Sequence, residues 1–134
     1  MAHWLVKSEP STWSWDQHVK KSVQGWDGVR NYQATNNMKA MKIGDLAFFY
    51  HSNEGKEIVG IVEVVKEYHP DPTDETGKFG MVAFKARKPL KKSVTLEQIK
   101  RDAKLKDMVL VKNSRLSVQP VTDGEWAHIF KLST

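Results

Sequence analysis

Apolar positions along this chain come in short runs, each closed by turn or capping residues. Trp4, Leu5 and Val6 make His3–Lys7 a short first strand, stopped by Pro10 and Ser11. Ser14-Trp15-Asp16-Gln17 has the spacing of a capping box, predicting a helix to about Lys21 with Trp15, His18 and Val19 inward. Gly25 and Gly28 bracket a turn. Residues 31–41 read as a helix with Asn31 as its N-cap and Met38 and Met41 as apolar anchors, ended by Ile43-Gly44-Asp45. Leu46–His51 is a strand rich in Phe and Tyr, and Asn53-Glu54-Gly55-Lys56 a hairpin turn. Ile58–Tyr68 is the strongest strand; its near-continuous apolar run predicts cover on both faces, and Gly60 within it a bulge or a close backbone approach.

After a polar loop over Pro70–Lys78, Phe79–Ala86 returns as a strand. Thr95-Leu96-Glu97-Gln98 heads a helix to about Ala103, Met108–Val111 is a short apolar segment, and Leu116–Val121 is the last strand. Thr122-Asp123-Gly124-Glu125 is a third capping box, opening a terminal helix with Trp126, Ile129 and Phe130 inward. Five or six strands with small helices between them predict an α+β domain around a mixed, barrel-like sheet, not a doubly wound one.

At 134 residues, 1–134 is expected to be a single domain with a genuine core. The absence of cysteine excludes disulfides, thiolate chemistry and thiolate metal sites. No run resembles a signal peptide or a membrane span, so the expected location is cytoplasmic, or nuclear in a eukaryotic host, with a monomer as the default state. The net charge of +5 is uneven: residues 85–112 carry ten Lys or Arg against three acids, a net of +7, leaving −2 for the rest. Such a segment attracts phosphate backbones, or is simply a solvated lysine-rich surface.

No P-loop, GxGxxG, HExxH or GxSxG is present. None of the five histidines has a partner at metal-ligand spacing, so neither a metal nor a cofactor is expected. What remains is polar and aromatic. Trp26-Asp27-Gly28-Val29-Arg30-Asn31-Tyr32-Gln33 packs an indole, a carboxylate, a guanidinium, two carboxamides and a phenol into eight residues. Stacking faces beside such hydrogen-bonding heads suit a flat heterocycle such as an extruded base. The alternatives are a core indole at Trp26 and an Asp27–Arg30 ion pair. Lys7-Ser8-Glu9-Pro10 lies at the first strand's exit, where binding residues concentrate, or is a turn with a local salt bridge. Ser114 and Arg115 precede the last strand, with Arg115 either clamping a phosphate or stapling the fold. His51 ends the aromatic strand between Tyr50 and Ser52, as a ligand donor or as a packed strand-end histidine. Glu9 and Asp27 would pair only if the fold joined them; salt bridges to Lys7 or Arg30 are the plainer reading. Of the five tryptophans, Trp4, Trp15 and Trp126 sit in apolar contexts and read as core, Trp13 as a cap or surface residue, and Trp26 as the aromatic wall.

Six segments in order, WLVKSEP (4–10), WDGVRNYQATNNMKAMKIGD (26–45), FFYHSN (48–53), IVGIVEV (58–64), HPDPT (69–73) and SRLSVQPVT (114–122), make the chain resemble the EVE domain family, a branch of the PUA-like superfamily that includes the YTH domains. The resemblance implies a PUA-like β-barrel with peripheral helices and a pocket that accepts a flipped, modified base of DNA or RNA, without catalysis. By analogy with YTH domains, Lys7, Ser8, Glu9 and Trp26 should line the pocket, with Asn31, Tyr32, Gln33, Tyr50, His51 and Ser52 as polar and aromatic walls. The family usually reads NYQAR where this chain has Thr35. If that arginine touches phosphate in relatives, this chain loses the contact unless Lys39 or the basic segment 85–112 substitutes.

The expectation is therefore a non-catalytic module for a modified base: Trp26 and Tyr32 stack, Ser8, Asn31 and His51 bond the base edge, Arg30 is a further ligand-binding residue, and Arg115 and the lysine-rich segment hold phosphate. On this reading Trp26→Ala abolishes binding and leaves the fold intact. A sensor of a free nucleoside or metabolite is the alternative, and a base-modifying enzyme using Glu9 a third.

Overall fold

Alternation in two neighbouring strands sets the architecture. In β1 (His3–Ser8), Trp4 and Val6 join one apolar cluster and Leu5 another; in β3 (Leu46–His51), Ala47 and Phe49 share the first, Phe48 and Tyr50 the second. Side chains alternate sides along a strand, so both strands are covered on both faces, which is why their apolar runs are unbroken. The computed structural model describes residues 2–134.

These strands lie within a six-stranded sheet that also contains β2 (Val23–Gly25), β4 (Glu57–Pro70), β5 (Gly80–Thr95) and β6 (Val118–Val121), in the order β2-β5-β4-β3-β1-β6. β1 and β3 run parallel, from His3 opposite Leu46 to Ser8 opposite His51, and the other pairings are antiparallel. The α+β class with a six-stranded mixed sheet is as expected, but the sheet is not closed. Its edges, β2 and β6, end after three and four residues at the Trp26 loop and the Thr122 cap, and do not pair with each other.

Helices α1 (Trp15–Lys21) and α2 (Tyr32–Ala40) cover one face, burying Trp15, Ala34 and Met38 against Trp4, Val6 and Phe49. Helices α3 (Leu96–Arg101), α4 (Val109–Lys112) and α5 (Asp123–Leu132) cover the other, burying Ile99, Leu110 and Ile129 with Leu5 and Phe48. All three capping boxes form as spaced, on Ser14, Thr95 and Thr122.

The structure departs from the sequence pattern at four places. Val19 is 49% exposed, because Trp15 and His18, three apart, already fill the inner stripe of a seven-residue helix. β5 continues from Ala86 to Thr95 through the lysines, whose solvent-facing side chains hid the strand. β2 is an unanticipated edge, and the last strand begins at Val118. Gly60 realises both readings: the β4–β5 register shifts between Ile58 and Gly60, and an added Cβ would stand 2.5 Å from the Trp15 ring.

Candidate nucleic-acid interface

Where β1 ends and β2 hands over to the following loop, a cavity of about 590 Å³ opens. That size lies within the ~300–1,000 Å³ of small-molecule sites. Lys7, Ser8 and Glu9 line it from the β1 exit, Thr12 and Trp13 from the turn before α1, residues 24–30 from the end of β2 and its loop, and Ser117 from the approach to β6.

Trp26 belongs to this wall and to the core at once. It is 8% exposed, stands edge-on to Phe49 and Phe84 at centroid distances of 5.6 and 5.5 Å, and its amide donates to the Val82 carbonyl at 2.7 Å. The expectation that Trp26→Ala would spare the fold is therefore corrected: truncation would open a void among buried rings. The second indole of the cavity, Trp13, was not singled out by its sequence context. Its Nε1–H donates to Nδ1 of His18 at 3.1 Å, and its carbonyl accepts from the Ser8 hydroxyl at 2.5 Å. His18 is fully buried, bonded through Nε2 to the Phe84 carbonyl at 3.0 Å. Burial lowers its pKa below the usual 6.5, with the Phe84 bond opposing.

The Trp26–Arg30 loop is tied down from 43 residues away. The buried carboxylate of Asp71 accepts from the Gly28 amide (2.9 Å) and Arg30 Nη1 (3.1 Å) on one oxygen, and from the Thr73 amide (2.8 Å) and hydroxyl (2.7 Å) on the other. Burial acts to raise its pKa, but the Thr73 hydroxyl, the two amides and Arg30 outweigh that and hold it at about 2. HPDPT is thus the anchor of WDGVR. Gly28, at φ 76°, takes the left-handed turn that presents its amide.

Arg30 pairs with Asp71, not Asp27. Glu9 and Asp27 both line the cavity, and neither is ion-paired among the described residues. Lys7 also lines it, but its ammonium donates to the Ser114 carbonyl at 2.6 Å, and burial lowers its pKa.

The remaining predicted residues do not line the cavity. The Asn31 carboxamide oxygen is used as the α2 cap, accepting from the Ala34 amide at 2.9 Å. Tyr32 is 66% exposed, its ring 5.1 Å from that of Phe79, and Gln33 is exposed on the same first turn. Tyr50 is buried on the opposite face of the sheet. His51 accepts the Trp15 amide through Nε2 at 3.1 Å, and burial lowers its pKa, with Glu57 and Asp16 opposing. Ser52 donates its amide to the Ser8 carbonyl. Ser114 serves Lys7 through its carbonyl, while Arg115 is exposed and lies outside the lining.

Thr35 is buried, its hydroxyl without a partner among the described residues, and Lys39 is exposed with its ammonium 5.5 Å from the Tyr68 ring. In the basic segment, Arg87, Arg101 and Lys112 pair with Glu63, Glu97 and Asp107, and Lys88 lies over Phe130 at 4.6 Å; none of its residues reaches the cavity. Among the described residues no group of three His, Cys, Asp or Glu could hold a metal, and no helix is long and apolar enough to cross a membrane.

Residues 2–132 match the family model for the EVE domain. Human thymocyte nuclear protein 1 is 36% identical over 165 residues, covering 98% of this chain and 73% of that protein. Among solved structures, a Rhodopseudomonas palustris protein is 58% identical with a TM-score of 0.95, covering 99% of this chain and 93% of its own. The structure of the human protein in complex with 5-methylcytosine-containing DNA is 35% identical with a TM-score of 0.93, covering 99% and 98%.

Proposed function

The chain belongs to the EVE domain family, and from that premise we propose that it is a non-catalytic module that binds nucleic acid and reads a modified base extruded into the cavity at the β1 exit. One observation carries the reading: two indoles, Trp13 and Trp26, line a single cavity that also holds the polar side chains of Ser8, Gln24 and Ser117 and the carboxylates of Glu9 and Asp27. A flat base needs aromatic faces and a ring of donors and acceptors. Carboxylates accept from exocyclic amines such as that of cytosine. The similar human protein, solved with 5-methylcytosine-containing DNA, supports the same ligand class here.

In this assignment Trp13 and Trp26 wall the base and Glu9, Asp27 and Gln24 face its edge, while Ser8 holds Trp13 in place. Lys7, Arg30 and the exposed Arg115 supply positive charge at or near the rim. Its proposed compartment is that of its nucleic acid: the cytoplasm, or the nucleus of a eukaryotic host.

The test is a titration with matched oligonucleotides carrying cytosine, 5-methylcytosine, 5-hydroxymethylcytosine or N6-methyladenine. One modified strand should bind tighter than its unmodified match, with log K falling linearly in log salt as phosphate contacts release counterions. Mass spectrometry of the strand afterwards should show no change of mass. Equal affinity for all strands would overturn the reading. Salt-insensitive binding of the free nucleoside alone would replace it with the sensor alternative, and a changed mass with an enzyme.

A further inference from the structure

We infer that His18, which does not line the cavity, positions Trp13 as the cavity's second aromatic wall, and does so only as the neutral imidazole carrying its proton on Nε2. The ligand in this inference rests on the function proposed above; the geometry does not.

The tautomer follows from the partners. An indole N–H only donates, so Nδ1 of His18, 3.1 Å from Trp13 Nε1, must present a lone pair. A carbonyl only accepts, so Nε2, 3.0 Å from the Phe84 oxygen, must carry the hydrogen. The ring is fully buried, 5.6 Å from Phe49 and 6.1 Å from Trp26, so it touches both the first wall and that wall's support. Trp13's backbone is held separately, its carbonyl by the Ser8 hydroxyl and its amide by the Glu9 carbonyl. The direction of the indole is what His18 adds.

A second proton has no place here. On α1 itself Asp16, Lys20 and Lys21 are exposed; on β5 Lys85, beside Phe84, is exposed; on β3 the ring of His51 lies 5.8 Å from Phe49, and Tyr50 is buried on the opposite face of the sheet. Among the described residues the ion-paired histidines are His3 and His128, and none of these groups pairs with His18. Protonation would place an Nδ1–H against the indole N–H, break that bond and leave a buried uncompensated charge. The Trp13 wall is then released, and a stacked base loses the contribution of that aromatic face.

The experiment uses nitrogen-15 NMR of the protein alone, together with binding of a 5-methylcytosine oligonucleotide at constant salt. At neutral pH the imidazole should show the Nε2–H tautomer, and the Trp13 indole proton should be shifted downfield and slow to exchange. On acidification both signals should move at one common pH below 6.5, and affinity should fall roughly 5- to 150-fold over the same interval. His18→Gln offers an oxygen to Trp13 and an NH₂ to Phe84, so it should keep the affinity and lose the acid step. Trp13→Phe leaves the fold and should lose affinity at all pH values. An Nδ1–H tautomer, a Trp13 signal unmoved through the titration, or an acid step persisting in His18→Gln would overturn the inference. If no modified strand binds the wild type at any pH, the proposed function falls and the NMR arm alone decides the positioning.

Discussion

Asp71→Asn tests how the cavity loop is held. Four donors converge on the two oxygens of Asp71: the amides of Gly28 and Thr73, Arg30 Nη1 and the Thr73 hydroxyl. An asparagine has one oxygen, so whichever way its amide is turned, two of those donors meet an NH₂ group. The magnitude comes from the titration. A carboxyl held at about 2 instead of its ordinary 3.8 favours the folded, charged form by about 2 kcal/mol. The side chain is fully buried, so solvent screening takes little from this figure. Because the folded pKa is depressed, the contribution is complete above about pH 5 and lost as the pH falls through about 2. Asp71→Asn should therefore lower Tm at pH 7 by on the order of 10 °C. Wild type and variant should also converge in stability as the pH approaches 2. Calorimetry or circular dichroism melts from pH 7 to 2 read both effects. A Tm change under 2 °C at pH 7, or a difference that persists undiminished at pH 2, would refute the reasoning.

Three further outcomes follow from the same contacts. Trp26→Ala should cost about 3–5 kcal/mol by emptying a site between Phe49 and Phe84, whereas Trp26→Phe should fold and lose part of the ligand affinity; chemical denaturation and the oligonucleotide titration separate the two. Gly60→Ala should destabilise by about 1–3 kcal/mol, because the new methyl would stand 2.5 Å from the Trp15 ring, and a thermal melt checks it. Tyr32→Ala should change stability by no more than about 0.5 kcal/mol, the tyrosine being 66% exposed, and should leave binding of a free modified nucleoside unaltered. A nucleoside affinity that collapses in Tyr32→Ala would return that ring to the pocket.

What was legible in the chain was local. The three capping boxes are read from residues three apart, and each formed. The strand exit at Ser8 and the loop from Trp26, which line one cavity, were readable as candidates because turn residues and costly side chains coincide there. What was illegible depended on partners far along the chain. Asp71 lies 43 residues from Gly28, and no local pattern says which loop a buried carboxylate will anchor. His18 and Trp13 look like one face of a short helix and a stray aromatic until the turn between them brings the rings together. Two positions outside the cavity lining are readable from the residues alone. Asn31 has the spacing of a helix cap, and its oxygen accepts from the Ala34 amide at the head of α2. Tyr50 has the parity of Phe48 in its strand, so with Phe49 on the cavity's side of the sheet it had to face away.

The two indoles of the cavity are held in unlike ways, and this bears on how it would bind. Trp26 is wedged between Phe49 and Phe84 with its amide bonded into β5, so its ring has almost no freedom left to lose. Trp13 is half-buried at the edge of the core, where its indole N–H bonds His18. A ligand stacking on Trp26 meets a surface organised in advance, and ordering cost is what such organisation removes. A ligand closing against Trp13 meets a wall that can turn. Affinity common to all planar ligands should therefore come from Trp26. Discrimination among them should come from the Trp13 side, where the fit of the second face decides whether the indole holds its bond to His18 or gives it up.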